Sequence, residues 1–201
     1  MNYKSGLSVF ICLIGCVYFL EDKNMNLRDI LNEDIITLDV QGTTKDEVLR
    51  NMAKGLLDQG YINDVDQFVS DIYVREAEGP TGMGNHISIP HGKSESVQKI
   101  GIAIGKTVND IKWESGMSED GFQDTRLIFL FCVSADNEFA RNHMLLLSEL
   151  AGKLGNDARV ARLAEVTTKA EVIDLILCDD AALEGTEISE SEEIVDLDIN
   201  F

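Results

Sequence analysis

One continuous apolar run constrains the fold of this chain more than any other feature. Residues 127–133 read Leu-Ile-Phe-Leu-Phe-Cys-Val, without a charged or strongly polar side chain. Such a run is typical of a central β-strand that is buried on both faces. Both faces of its sheet must then be covered by other elements. The sequence therefore predicts a sheet with helices packed on both of its faces.

Strand and helix patterns alternate through the rest of residues 25–178. β-Branched residues predict strands over residues 35–40 and 100–106, and a short β-like run at 87–89. Apolar residues at helical spacing predict helices over residues 44–59, 63–78, 137–153, 157–165 and 168–177. Most of the segment 108–125 reads as a loop. The predicted fold class is α/β: a three-layer α/β/α sandwich with a mixed central sheet and the order β-α-α-β-β-β-α-α-α.

Composition and charge exclude some classes of protein. The chain has 201 residues, 44% of them hydrophobic, which suits one domain with a substantial core and room for tails. Its 17 basic and 36 acidic residues give a net charge of −19, so it lacks the basic surface that binding to nucleic acid requires. The four cysteines form neither a metal-type CxxC pair nor a disulfide framework, which favours a reducing compartment.

Two terminal segments differ from the central region. Residues 7–20 are apolar apart from Ser8, but this run is shorter than the roughly 20 residues of a bilayer span and lacks a small-x-small cleavage site. Residues 1–24 are therefore an apolar extension: an uncleaved anchor, a signal-like segment or, in the interpretation we prefer, sequence upstream of a true start at Met25. Residues 179–201 carry acidic but no basic side chains, so we predict a solvated, flexible tail.

The most informative local feature is the segment 79–92, which reads Gly-Pro-Thr-Gly-Met-Gly-Asn-His-Ile-Ser-Ile-Pro-His-Gly. Three glycines at its start loosen the backbone, and Pro90 fixes it just before His91. Because Gly92 adds no side chain, we expect the imidazole of His91 to be sterically accessible. The alternative is a glycine-rich turn that leads into a strand, with His91 as an ordinary surface residue.

A second histidine stands near the start of the predicted long helix. His143, Leu147, Leu150 and Leu154 share one helical face, which is the apolar one. We therefore expect His143 to point inward, against the sheet. It is either a satisfied core residue or part of a site. The second interpretation gains weight because the helix follows a central strand, whose end is where α/β sites usually form.

Several separated stretches share their residues with one known family. They are Arg75-Glu76, residues 79–84, Ile-Ser-Ile-Pro-His-Gly-Lys at 87–93, residues 100–105, Ile111-Lys112-Trp113, Asp136-Asn137-Glu138, and the helix that runs from His143 through 147–151. In this order they resemble the enzyme IIA domains of the fructose–mannitol class, in particular the fructose-type branch, of the bacterial phosphoenolpyruvate-dependent sugar phosphotransferase system. The resemblance covers about residues 25–178, and it is specific because several motifs agree.

The resemblance implies a phosphotransferase component that carries a phosphohistidine. His91 would be the phosphorylated nucleophile, His143 its active-site companion, and Arg75 a positive charge that stabilises the phosphate. Thr81 and nearby glycine amides would donate hydrogen bonds to phosphate oxygens. The chemistry suits these residues, because an imidazole near neutral pH is often unprotonated and attacks a phosphoryl group without a separate base.

Some residues depart from the family pattern or allow another interpretation. Position 86 is commonly glycine in the family, so His86 is given no role. Extra residues within 134–143 mean that the match of His143 depends on the leucine-rich helix after it. The alternative for Arg75 is a surface ion pair with Glu76 or Glu78.

The same resemblance implies partners and a location. The chain would accept phosphate from phospho-HPr and pass it to a cysteine of a fructose-type enzyme IIB, in sugar uptake. It implies no metal or organic cofactor, no nucleic acid, a cytoplasmic location, and membrane contact only through the permease. In multidomain relatives, a linker to enzyme IIB or to the membrane domain would follow the last residues of this sequence. Because the sequence stops there, we expect a free-standing enzyme IIA.

Two other functions remain open at the level of sequence. One is a regulatory module of the nitrogen-related enzyme IIA branch, whose phosphorylation state controls partner binding. The other is a metalloenzyme that uses His86, His91 and His143 as ligands. The second lacks an obvious carboxylate or cysteine to complete the site.

Overall fold

A computed structural model gives the fold of the chain. The structure describes residues 10–11, 17–18, 25–135 and 140–184, but not the side chains of residues 10, 11, 17, 18, 140–142 and 184. The predictions for most of residues 1–24 and for residues 185–201 therefore lie outside the described residues. Within those described ranges, no helix combines the length and apolar character that a membrane span requires.

The elements follow the predicted alternation closely. The strands are β1 (Phe10–Ile11), β2 (Val17–Tyr18), β3 (Ile36–Val40), β4 (Ile87–Ser88), β5 (His91–Ser94), β6 (Gly101–Glu114) and β7 (Phe122–Ser134). The helices are α1 (Leu27–Ile30), α2 (Lys45–Asp58), α3 (Val65–Glu76), α4 (Ala140–Leu154), α5 (Asp157–Glu165), α6 (Lys169–Leu177) and α7 (Asp180–Glu184). β1 and β2 pair with each other, apart from the main sheet.

The main sheet has five strands and is mixed. Its order is β3-β6-β7-β4, and β5 also pairs with β7. β6 and β7 are antiparallel, whereas β3 runs parallel to β6, and both β4 and β5 run parallel to β7. β4 and β5 thus follow one another along the same edge of β7. The predicted mixed sheet is confirmed.

Apolar side chains cover both faces of this sheet. On one face, Phe129 and Phe131 of β7 pack in a core with α4, α5 and α6. On the other face, Ile128 and Leu130 pack in a core with α2 and α3. Because consecutive strand residues point to opposite faces, one apolar run supplies both cores. The predicted three-layer α/β/α sandwich is confirmed.

Residues 108–125 differ from the predicted loop. β6 continues to Glu114 and β7 begins at Phe122, so a long hairpin fills most of this segment. Ile111 and Trp113 are fully buried and alternate with exposed neighbours, which is a strand pattern. The prediction was wrong because polar residues before Ile111 and glycines after Trp113 obscured the period of two. β5 is a further strand that the predicted order lacks.

Helices α2 and α3 begin where the sequence predicted. The hydroxyl of Thr44 accepts a hydrogen bond from the amide of Glu47, and the carboxylate of Asp64 accepts one from the amide of Gln67. These side chains satisfy amide groups that a helix start leaves without partners. The caps therefore fix the start of α3, the helix that carries Arg75 in its last turn.

Helix α4 places its predicted face against the sheet. Leu150 and Leu154 are buried in the same core as Phe131. The first residues of the predicted helix, 137–139, lie outside the described residues. His143 stands on the same face about two turns before Leu150, as the spacing predicted.

One buried arginine ties the C-terminal helices together. Arg159 of α5 is fully buried. Its guanidinium donates to the carbonyls of Lys153, Leu175 and Cys178 at 2.7–2.9 Å and to the carboxylate of Asp180 at 2.7 Å. These acceptors lie at the ends of α4 and α6 and at the start of α7.

Candidate active site

The backbone around His91 is fixed by its strand and by a helix that touches it. β5 begins at His91, immediately after Pro90, whose carbonyl accepts a hydrogen bond from the amide of Phe131 at 3.1 Å. A Cβ atom at Gly92 would lie 2.6 Å from the carbonyl oxygen of Asp71 in α3. No side chain fits there. Gly92 therefore lets α3 lie directly on the strand that carries the histidine, a reason that differs from the simple access that we expected from sequence.

Of the two ring nitrogens of His91, Nδ1 is hydrogen-bonded to the protein and Nε2 is free. Its Nδ1 lies 2.8 Å from the carbonyl oxygen of Ile89. A carbonyl only accepts, so Nδ1 carries the proton, and Nε2 of the neutral ring has the lone pair. Burial and the positive charge of Arg75 lower the pKa of His91, although the Ile89 bond and the charge of Glu76 oppose this. The neutral, nucleophilic form is therefore favoured.

His143 faces His91 across the site. The two ring centroids are 5.6 Å apart, and the His143 ring also packs edge-on against Phe131 at 5.7 Å. Burial, followed by repulsion from the protonated form of His91 and from the positive charges of Lys93 and Arg75, lowers the pKa of His143 to about 4. His143 is therefore neutral at physiological pH. Among buried side-chain nitrogen and oxygen atoms of the described residues, its Nε2 alone has no hydrogen-bond partner.

A cavity of about 550 Å³ contains three of the predicted site residues. Arg75, His91 and His143 all line it, together with Lys93. The guanidinium of Arg75 donates to the carbonyl of Gly79 at 3.1 Å. Among the ion pairs of the described residues, none includes Arg75, so the alternative of a surface pair with Glu76 or Glu78 is wrong. The cavity therefore combines two imidazoles, two cationic side chains and the acidic side chains of Asp71 and Glu78.

Thr81 lies elsewhere, and its hydroxyl is already bonded. It is nearly buried, donates to the carboxylate of Glu76, and accepts from Nε1 of Trp113 at 3.2 Å. It is absent from the lining of the cavity that holds His91. The predicted hydrogen bond from Thr81 to phosphate stays a prediction, and these contacts do not support it.

His86 is separated from the other two histidines. It is exposed, has a φ of 59°, and its Nδ1 donates to the carbonyl of Asp124 at 2.8 Å. It lines a different cavity, of about 310 Å³, beside Arg126. The structure thus brings together His91 and His143 but not His86. In the described part of the chain, no group of three or more histidine, cysteine or acidic side chains is arranged to hold a metal ion.

Sequence reasoning missed two charged residues near the site. Lys93 lies two residues after His91 on β5, and a strand period of two puts both side chains on one face. Glu76 follows Arg75, and its buried carboxylate pairs with Lys45 at 2.9 Å. The strand period was a usable signal for Lys93. For Glu76 the resemblance indicated its place beside Arg75 but not its pairing with Lys45, which is 31 residues away.

Comparison with known proteins decides the family. The family model described as "Phosphoenolpyruvate-dependent sugar phosphotransferase system, EIIA 2" matches residues 29–178. The chain belongs to this family. It is thus an enzyme IIA of that phosphotransferase system, which confirms the resemblance seen in the sequence.

Curated relatives extend the family match. The enzyme IIA is 30% identical over 152 residues to the 2-O-alpha-mannosyl-D-glycerate-specific EIIABC component of Escherichia coli, covering 76% of this chain but 22% of that protein. It is 32% identical over 90 residues to a fructose-like EIIA component of Escherichia coli, covering 45% of this chain and 61% of that protein. The chain therefore spans less than two thirds of the length of these relatives.

Solved structures of the family have the same fold. The crystal structure of IIA mannitol from Escherichia coli aligns with a TM-score of 0.59 at 26% identity, covering 73% of this enzyme IIA and 98% of that chain. The nitrogen regulatory protein IIA-Ntr from Neisseria meningitidis aligns with a TM-score of 0.64 at 25% identity, covering 74% and 97%. A complex of enzyme IIA mannitol with phosphorylated enzyme IIB mannitol from Escherichia coli shares the fold.

Proposed function

We propose that this enzyme IIA accepts a phosphoryl group on Nε2 of His91 from phospho-HPr and passes it to a fructose-type enzyme IIB in sugar uptake. The supporting observation is the state of the His91 ring. Its Nδ1 is bound to the carbonyl of Ile89, so Nε2 is the free nitrogen of a ring that lines the cavity. The predicted cytoplasmic location stays part of this proposal.

The transfer requires little more than alignment and charge. The lone pair of Nε2 forms a bond to phosphorus while the bond between phosphorus and the donor breaks, and the donor retains that electron pair. The ring gains positive charge as the new bond forms. The carbonyl of Ile89, which already accepts from Nδ1, stabilises that charge without any rearrangement.

The surrounding charges suit a phosphoryl group. Arg75 and Lys93 line the same cavity as the acidic Asp71 and Glu78, and the two cations would neutralise the phosphate oxygens. His143 is neutral before transfer because its pKa is lowered to about 4. A doubly negative phosphoryl group on His91 would raise the pKa of His143, because an opposite charge nearby favours the protonated ring. His143 would then gain a proton or share one with the phosphate.

The rim of the cavity suits a protein partner. Val74 of α3 and Met144 of α4 line the cavity and are 64% and 65% exposed. Exposed apolar side chains around a polar centre are typical of surfaces that bind other proteins. The donor protein and then the acceptor protein would dock on this rim, over His91.

A regulatory role is the second candidate. The solved IIA-Ntr structure is similar in fold, at 25% identity. Relatives with sugar-specific names include the mannosylglycerate and fructose-like components, at 30% and 32% identity. Transfer of the phosphoryl group to a fructose-type enzyme IIB separates the two roles, because the sugar-uptake role requires such transfer.

The test is reconstitution with phosphoenolpyruvate, enzyme I and HPr. We expect the wild-type chain and His86→Ala to acquire acid-labile phosphate, and His91→Ala to acquire none. Addition of a fructose-type enzyme IIB should then discharge the wild-type phosphoprotein. Phosphorylation of His91→Ala at the wild-type level would show that the nucleophile is another residue.

A further inference from the structure

A buried carboxylate lies at the end of α3 without touching His91. The side chain of Glu76 is 7% exposed. One of its oxygens accepts from Nζ of Lys45 at 2.9 Å, and the other accepts from the hydroxyl of Thr81. Both oxygens are therefore committed to protein donors. A buried carboxylate held in this way has a fixed position, because any movement would break a charge-assisted hydrogen bond.

Thr81 is held from a second side by the single tryptophan of the chain. Trp113 is fully buried, and its Nε1 donates to the hydroxyl oxygen of Thr81 at 3.2 Å. The ammonium group of Lys45 lies 4.5 Å from the centre of the same indole ring. The hydroxyl of Thr81 therefore donates to one buried group and accepts from another, which fixes its rotamer and its backbone.

The backbone of Thr81 continues this connection to the nucleophile. Its carbonyl accepts from the amide of Ile89 at 3.0 Å. The carbonyl of Ile89 in turn accepts from Nδ1 of His91 at 2.8 Å. The three hydrogen bonds join Glu76 to Thr81, Thr81 to Ile89, and Ile89 to His91. We call this series the Glu76–His91 relay.

We infer that Glu76 and Thr81 are positioning residues for His91, which act through the Glu76–His91 relay rather than on the phosphate. They hold the Ile89 carbonyl where it keeps the proton on Nδ1 and aims Nε2 into the cavity. This inference rests on the proposed function, because it assigns Thr81 a role in the same phosphoryl transfer. A small displacement of a reacting group costs a large part of the rate, so positioning matters here.

The test uses Thr81→Val, which removes the hydroxyl but keeps the shape, with Thr81→Ser as the conservative variant that restores it. Glu114→Gln is the matched control, because Glu114 also pairs with Lys45, at 2.6 Å, but its side chain is outside the relay. For each folded variant, nitrogen NMR of His91 gives the fraction of neutral ring with the proton on Nδ1. Phosphorylation by phospho-HPr gives kcat/KM.

We expect Thr81→Val to lower the Nδ1–H fraction and to lower kcat/KM by at least about tenfold. Thr81→Ser and Glu114→Gln should keep both values near those of the wild type. Wild-type tautomer and rate in Thr81→Val would overturn the inference, as would an equal loss in Glu114→Gln. If Thr81→Val does not fold, Glu76→Gln decides by the same two measurements.

The NMR measurement also separates this inference from the proposed function. The tautomer of His91 is measured without any phosphate donor. If HPr fails to phosphorylate the wild-type chain, the proposed function is wrong, whereas the relay is still tested by the tautomer. If the wild type is phosphorylated at a normal rate but no variant changes the tautomer of His91, the inference about the relay is wrong and the proposed function stands.

Discussion

The two histidines of the segment 79–92 stand five residues apart and have different surroundings. His86 is exposed, in a left-handed backbone conformation, and lines a cavity with Arg126. His91 is half-buried at the start of β5 and lines a cavity with Arg75. Both rings donate from Nδ1 to a backbone carbonyl at 2.8 Å. The local hydrogen bond is therefore the same, and the difference lies in what surrounds each ring.

This comparison shows what makes one imidazole a candidate nucleophile. Helix α3 can reach β5 because Gly92 has no side chain, and α4 supplies His143 from the other side. The cavity beside His86 is formed mostly by α5 and β7, and neither element brings a second histidine into it. A reactive site needs charges and low solvent exposure in addition to a free nitrogen.

The largest expected effect comes from adding a side chain at the point where α3 touches β5. In Gly92→Ala, a Cβ would lie 2.6 Å from the backbone carbonyl of Asp71, and backbone cannot move aside as a flexible side chain can. We expect the free energy of unfolding to fall by about 2–3 kcal/mol. Chemical denaturation measures this loss, and phosphorylation of His91 should fall with it.

The matched control is Gly79→Ala, in the same segment. A Cβ at Gly79 would meet no atom within 4 Å. Its free energy of unfolding should change by less than about 0.5 kcal/mol. Equal stability of the two variants would mean that β5 does not lie against α3 in the way described.

The second effect concerns the arginine of each cavity. Arg75→Gln removes a positive charge from the cavity of His91, and we expect the rate of phosphorylation to fall by about 10²-fold. Arg126→Gln removes the arginine beside His86, which pairs with Asp110 at 3.3 Å on the surface. That variant should retain the wild-type rate. Rapid-quench measurement with phospho-HPr compares them, and equal losses would contradict the assignment.

The third effect is a dependence of stability on pH. The ordinary pKa of histidine is 6.5, and that of folded His143 is about 4, so the unfolded chain binds more protons between these values. Stability therefore rises with pH across this window, is fully present above 6.5, and is lost as pH falls toward 4. The lowered pKa of His91 acts in the same direction.

Denaturation of His143→Gln from pH 4 to pH 8 checks this sign. We expect a flatter curve than that of the wild type, because one buried group no longer gains a proton on unfolding in acid. A steeper curve for His143→Gln would reverse our conclusion that the ring is neutral.

The smallest effect is expected at His86 itself. A residue with a side chain at a φ of 59° is strained, whereas glycine adopts this conformation freely. His86→Gly should therefore raise the free energy of unfolding by up to about 1 kcal/mol and leave phosphorylation unchanged. Thermal unfolding measures the gain. A loss of phosphoryl transfer would mean that His86 contributes to the reaction.

The layers of the fold and the histidine pair could be predicted from sequence because they depend on periodicity. The apolar run that became β7 required two covered faces, and the face of α4 put His143 inward. The hairpin of β6 and β7 was not predicted, since two buried residues among polar neighbours give a weak pattern. Buried side chains in a short polar stretch identify a strand only when the strand that pairs with it is known.

The parts of the site that sequence could not predict depend on long-range contacts. The fit of Gly92 against Asp71, and the pairing of Glu76 with Lys45, join segments that are far apart along the chain. Thr81 was predicted as a phosphate ligand from its place in a glycine-rich loop. Its hydroxyl instead bonds to protein groups, a choice that no local pattern reveals.

The buried guanidinium of Arg159 has a consequence for how the chain opens. Its donors close the ends of α4 and α6 and hold the first residue of α7, so releasing any one end leaves a buried donor without an acceptor, at about 1–3 kcal/mol. Fraying of one of these three helix termini alone is therefore disfavoured by that amount, which couples the termini. In native-state hydrogen exchange their amides should open as one cooperative unit, with a common free energy and a common response to denaturant.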